Sequence, residues 1–117
     1  MKTITLKTDV KKLLHQGTVI PAHPLALDSK RNLDEKRQRG LTQYYMASGA
    51  GGIAVGVHTT QFEIRDPQIN LYSRVLALAA EEVASASLTR PFIKVAGIVG
   101  PTTQAISEAE TAVRLGY

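Results

Sequence analysis

Three short apolar runs, "GTVIPA" (17–22), "GGIAVGV" (51–57) and "PFIKVAG" (91–97), recur along the chain, and each precedes a stretch with helical character. This alternation constrains the fold more than any other feature. The second run is continuously apolar rather than alternating, which suits a strand covered on both faces, as in a parallel sheet. Parallel neighbours need crossover connections, and the segments between the runs supply them as helices. The expected architecture is βαβαβα, with strands starting near residues 17, 51 and 92 and right-handed crossovers.

The helical segments differ in quality. In "LDEKRQRGLTQYYMASG" the apolar positions Leu33, Leu41, Tyr44, Tyr45 and Ala47 partly follow helical spacing. Gly40 weakens that helix, and Gly49 is a natural stop. Asp66-Pro67 reads as an N-cap acid followed by proline at the first helical position. Beyond it Ile69, Tyr72, Val75, Leu76, Ala79 and Val83 form one apolar stripe. The last helix, "TTQAISEAETAVRLG", turns Ile106, Ala109 and Val113 inward.

Two α/β architectures accommodate this order, a doubly wound open sheet and part of a (β/α)8 TIM barrel. No G-x-G-x-x-G motif opens a helix, so a dinucleotide-binding sheet lacks its main support. A whole barrel takes about 250 residues. On the barrel reading the 117 residues would be about the first three βα units, the N-terminal portion of a single longer domain, and the open-sheet reading stays beside it.

The chain has no cysteine, which excludes disulfides, thiolate metal sites and cysteine nucleophiles. No run of about 18 apolar residues could span a membrane, and the start shows no signal-peptide pattern. The expectation is a cytoplasmic protein. Residues 1–40 hold nine Lys/Arg against four Asp/Glu. Acids interrupt them, as in "RNLDEKRQRG", and aromatics are nearly absent, so a solvated helix face explains them better than a nucleic-acid or membrane surface. His15, His23 and His58 do not share a metal-ligand spacing, and no metal or cofactor is expected.

In parallel α/β proteins chemistry gathers beyond the carboxyl ends of strands. "HTTQ" (58–61) stands there after the second apolar run, and "TTQ" returns at 102–104 after the third. Adjacent hydroxyls beside backbone N–H groups make a neutral cradle for a carboxylate or phosphate. The competing reading is that Thr59 and Thr60 are loop and capping hydroxyls. His58 abuts the cradle, and imidazole is the side chain suited to proton transfer near neutral pH. His23 ends the first strand. Lys94, inside the third, is a candidate imine-forming amine if it faces inward, and an ordinary outward lysine otherwise. Thr102–Gln104 reads mainly as capping.

Three stretches carry a resemblance over nearly the whole length. "GTVIPAHPLALDSKRNLD", "ASGAGGIAVGVHTTQF" and "FIKVAGIVGPTTQAISEAETAVRLGY" resemble the N-terminal part of the dihydrodipicolinate synthase/N-acetylneuraminate lyase family, the pyruvate-handling class I aldolases. The resemblance implies a TIM barrel, assembled as a homotetramer. It also implies that pyruvate or another 2-oxo acid is bound as a Schiff base to a lysine on strand six. That lysine and a proton-relay tyrosine on strand five would lie beyond Tyr117, so no catalytic residue falls in this segment. Thr59 and Thr60 inherit the carboxylate-binding role, and His58 lines the side of a second substrate, an aldehyde. The sequence departs from the family at Gln61-Phe62, where relatives have Gly-Glu, at His58, where they have Gly, and at His23, where they have Thr. Two rivals stand beside this reading: a TIM-barrel enzyme binding a phosphorylated substrate at the same loop, and a small non-enzymatic α/β binding module.

Overall fold

A computed structural model describes residues 5–117. Its elements are α1 (Thr8–Gln16), α2 (Glu35–Ala47), β1 (Gly52–Val55), α3 (Tyr72–Ala86), β2 (Ile93–Ala96) and α4 (Thr102–Arg114), with two 3-10 turns, His58–Thr60 and Phe62–Arg65, between β1 and α3. The two strands are parallel, and Gly52 to Val55 pair in register with Ile93 to Ala96.

The expected first strand is reduced to an extended segment. It still runs parallel beside β1: Gly51 N–H donates to Val19 O, Ala54 N–H to Pro21 O, and His23 N–H to Ala54 O. Only the Ala22–Ala54 pair completes a bridge. Pro21 supplies no N–H, so the ladder cannot close one step earlier. Three parallel lines of chain result, in the order 19–23, β1, β2. Among the described residues no strand pairs with the far edge of β2.

Register partners share a sheet face. Ile53, Val55, Lys94 and Ala96 therefore point one way, and Gly52, Ala54, Ile93 and Val95 the other. The first face meets the helices. Ile53 and Val55 are fully buried with Val75, Leu76, Tyr72 and Ala79 of α3, and Ala96 packs beside them. The second face is partly open, with Val95 38% exposed. Lys94 thus lies on the helix-covered face, its Nζ 5.6 Å from the centre of the Tyr117 ring.

Several helix expectations need correction. α1 was not anticipated; it ends at Gly17, whose φ of 86° and N–H bonds to Leu13 O and Leu14 O make the usual glycine stop. The buried face of α2 is Gln38, Thr42 and Met46, while Tyr44 is 65% exposed. Asp66 does not cap α3: Asp66 to Asn70 form a turn, Asn70 takes φ 51°, and the helix begins at Tyr72. The stripe on α3 otherwise stands, apart from exposed Ile69. On α4 the inward residues are Glu108 and Ala112, and Ile106 and Val113 face out.

The polar face of α2 has a reason. His23 is fully buried, and its ring bonds Thr42 Oγ1 at 2.8 Å and Pro24 O at 2.7 Å. Gln38 donates to Pro24 O and accepts from Ala26 N–H. Pro24 O accepts only, so Nδ1 carries the proton and Nε2 accepts from Thr42: a neutral ring satisfied at both nitrogens. On the solvent side, Arg39 and Gln43 of α2 pair with Glu81 and Glu82 of α3, and Arg74 pairs with Glu35. Of the basic residues of the N-terminal third, Arg39 is answered here by acids of α3, and Arg37 stands 3.7 Å from Asp34.

Burial lowers the His23 pKa from its ordinary 6.5, with only partial compensation from Pro24 O. The unfolded chain then binds more protons than the folded one around and below that value, so stability falls with falling pH. Chemical denaturation at pH 7.5, 6.5 and 5.5 is expected to show a progressive loss that His23→Gln flattens; an equal slope in the variant refutes the assignment.

Candidate functional site

Because β1 and β2 are parallel, their carboxyl ends open on the same side, and the residues following each come together. Gly56 and Gly97 pack there so closely that a side chain on Gly97 would strike the Gly56 carbonyl. That contact accounts for the glycine at 97; Gly56 has its own reason, a φ of 79° with the Tyr72 ring where a side chain would stand. After Gly56 the chain enters the His58–Thr60 turn.

The two threonines of this turn are placed differently. Thr60 is fully buried; its Oγ1 donates to His23 O at 2.7 Å and accepts from Gly56 N–H at 3.0 Å. It ties the end of β1 to the end of the first extended segment. Thr59 is exposed, with Oγ1 only 3.4 Å from the same His23 carbonyl, a long contact that leaves the hydroxyl free to turn to another acceptor. His58 is exposed, its ring edge-on to Phe62 at 5.9 Å. The turn therefore brings His58 and the Thr59 hydroxyl to the surface at the mouth and sends the Thr60 hydroxyl inward. His23, the other histidine at a strand end, contributes only its carbonyl.

Gln61 follows with φ 76° and ψ 122°. Few residues other than glycine adopt that region, and holding it costs on the order of 1–3 kcal/mol. This is the position at which the resembling family carries glycine.

The sequence reading missed the group that holds this mouth together. Arg65 donates from Nη2 to both Gly56 O (2.7 Å) and Gly97 O (2.9 Å), and from Nε to Glu108 of α4 at 2.9 Å. Both side chains are under 10% exposed. Tyr72 lies beneath, its ring 4.6 Å from the guanidinium carbon and its hydroxyl donating to Gly97 O. Glu108 also accepts from Val99 N–H and Gln104 Nε2. Burial alone would raise the Glu108 carboxyl, but bonds from Arg65, Gln104 and Val99 hold it below its ordinary pKa. No local signal marks Arg65 or Glu108, because the two lie 43 residues apart in sequence.

The second threonine pair makes no cap. Pro101 is the N-cap of α4, without a side-chain cap bond, and Thr102 and Thr103 are exposed. Three cavities lie away from the mouth, one against the outer side of α2 and two around α1 and β2. Among the described residues no three His, Asp or Glu side chains converge as a metal site, and no helix is long and apolar enough to cross a membrane.

No family model matches the sequence, and a search among curated proteins finds no match. Among solved structures the fold is similar to that of N-acetylneuraminate lyase from Mycoplasma synoviae, with a TM-score of 0.70 at 18% identity. The likeness covers 86% of this chain and 32% of the lyase, so the chain spans about a third of that enzyme's length. The similarity is one of fold, and it places this α/β arrangement beside a lyase with the expected barrel architecture.

Two substitutions separate anchoring from strain. Thr60→Val leaves His23 O and Gly56 N–H without their partner and is expected to cost about 2 kcal/mol in denaturant unfolding. Gln61→Gly is expected to stabilise by about 1 kcal/mol, the relief of strain exceeding the added backbone freedom. A stable Thr60→Val or a destabilised Gln61→Gly contradicts these roles.

Proposed function

We propose that the chain supplies the first three βα units of a TIM-barrel lyase of the dihydrodipicolinate synthase/N-acetylneuraminate lyase type. In this reading it grips the carboxylate of pyruvate or another 2-oxo acid, while the imine-forming lysine comes from polypeptide outside these residues. The observation that carries the reading is the fold likeness to a lyase over most of the chain, together with an exposed hydroxyl and an imidazole at a parallel strand's exit.

The roles divide as the geometry suggests. Thr59 Oγ1 turns from its long contact with His23 O and donates to one carboxylate oxygen. Thr60 reaches the acid only by exchanging the His23 carbonyl for it, so its larger contribution is to fix the turn. Arg65 and Glu108 hold the two strand exits at a set spacing. The chemistry then proceeds by attack of the lysine amine on the C2 carbonyl, loss of water to an iminium, and removal of a C3 proton to give an enamine. A carboxylate held by neutral donors keeps that carbon fixed without a metal. His58, beside Phe62, lines the side from which the aldehyde adds. Oligomerisation, a tetramer by family resemblance, belongs to the same proposal.

Two measurements test it. Pyruvate titrated into the labelled chain is expected to shift the amides of His58 to Gln61, and Thr59→Val to weaken that binding about tenfold. In the longer protein, borohydride reduction with pyruvate is expected to add the acid to a lysine outside the 117 residues. Shifts with inorganic phosphate but not pyruvate, or an adduct that never forms, overturn the reading.

A further inference from the structure

A cavity of about 490 Å3 lies between α1, β2 and the end of α4, away from the strand exits. Its walls are largely apolar, and the side chains of Leu6, Val10, Leu14 and Val113 are prominent among them. Two cations also line it, Lys7 and Lys94, and no Asp or Glu does. Leu6, Leu14 and Val113 are each more than 40% exposed, so the apolar wall is open to solvent.

Lys94 is in an unusual position. It stands within β2, is partly buried, and among the described residues has neither an ion pair nor a side-chain hydrogen bond; its ammonium lies over the face of Tyr117. Tyr117 itself is engaged, its hydroxyl donating to Leu76 O. Burial depresses the Lys94 pKa, and Lys7 adds to the effect. Asp9, on the adjoining groove, is occupied by the N–H of Val10 at 2.8 Å. Arg90, on the same groove, is spent on the carbonyls of Ala50 and Met46. Two ammonium groups face one apolar hollow whose own lining holds no Asp or Glu, Asp9 standing on the adjoining groove without an ion pair to either lysine. An anion with an apolar tail would answer both charges and cover the open wall.

We propose that this cavity binds an amphipathic monocarboxylate, its head between Lys7 and Lys94 and its chain along Leu6, Val10, Leu14 and Val113. This site is separate from the strand-exit mouth and does not depend on the function proposed there.

Octanoate is the probe, with octanol as its neutral counterpart, titrated into the whole chain by calorimetry and amide spectra. Saturable octanoate binding is expected, with shifts at Val95, Gly116 and Tyr117, and octanol is expected to compete poorly. Lys94→Met, which keeps the stem's apolar volume, is expected to weaken octanoate about tenfold. Lys7→Gln, at an exposed position that does not bear on folding, is expected to weaken it in the same direction, and Thr59→Val to leave it unchanged. Absence of saturable binding, octanol binding as tightly as octanoate, or full affinity in both lysine variants overturns the proposal.

Discussion

The arrangement depends on one residue at the end of the first extended segment. His23 is joined to its surroundings through its backbone N–H, its carbonyl and its ring. The N–H continues the pairing with β1, the carbonyl receives Thr60, and the ring docks on Thr42 of α2. A proline-interrupted segment cannot be held by a full ladder, so the ring and carbonyl compensate for backbone bonds that Pro21 removes. Buried polar groups specify geometry more sharply than apolar ones, because each misplacement leaves a donor or acceptor unsatisfied.

From this joint the mouth follows in order. The His23 carbonyl fixes Thr60, Thr60 fixes the N–H of Gly56, and the carbonyl of Gly56 meets Arg65. Arg65 carries the same connection to Gly97 and, through Glu108, to α4. Three lines of chain, each too short to be stable alone, are fastened at one end by hydrogen bonds to charged and hydroxyl groups. The apolar face of α3 fastens them along their length.

The parts legible in the sequence were those governed by apolar burial. The β1 and β2 runs and the stripe of α3 were read almost residue for residue, because contiguous or evenly spaced apolar side chains leave few alternatives. The first apolar run reads as a strand, but Pro21, which excludes a helix there, also denies the ladder an N–H. On α2 and α4 the periodicity misled: the inward positions there are Gln38, Thr42 and Glu108, which reach Pro24, His23 and Arg65, 14, 19 and 43 residues away in sequence. Such pairings have no local signature. The exit turn was found from its hydroxyls, but the opposite orientation of Thr59 and Thr60 depends on the position of the His23 carbonyl, which only the fold supplies.

The outer margin of β2 remains a row of peptide groups that no described segment covers. A margin of this kind is a template for any extended chain that reaches it, though its length of four residues limits how well it serves. Encounter with another copy depends on concentration, so dilution favours the lone chain and expression level becomes a structural variable for it.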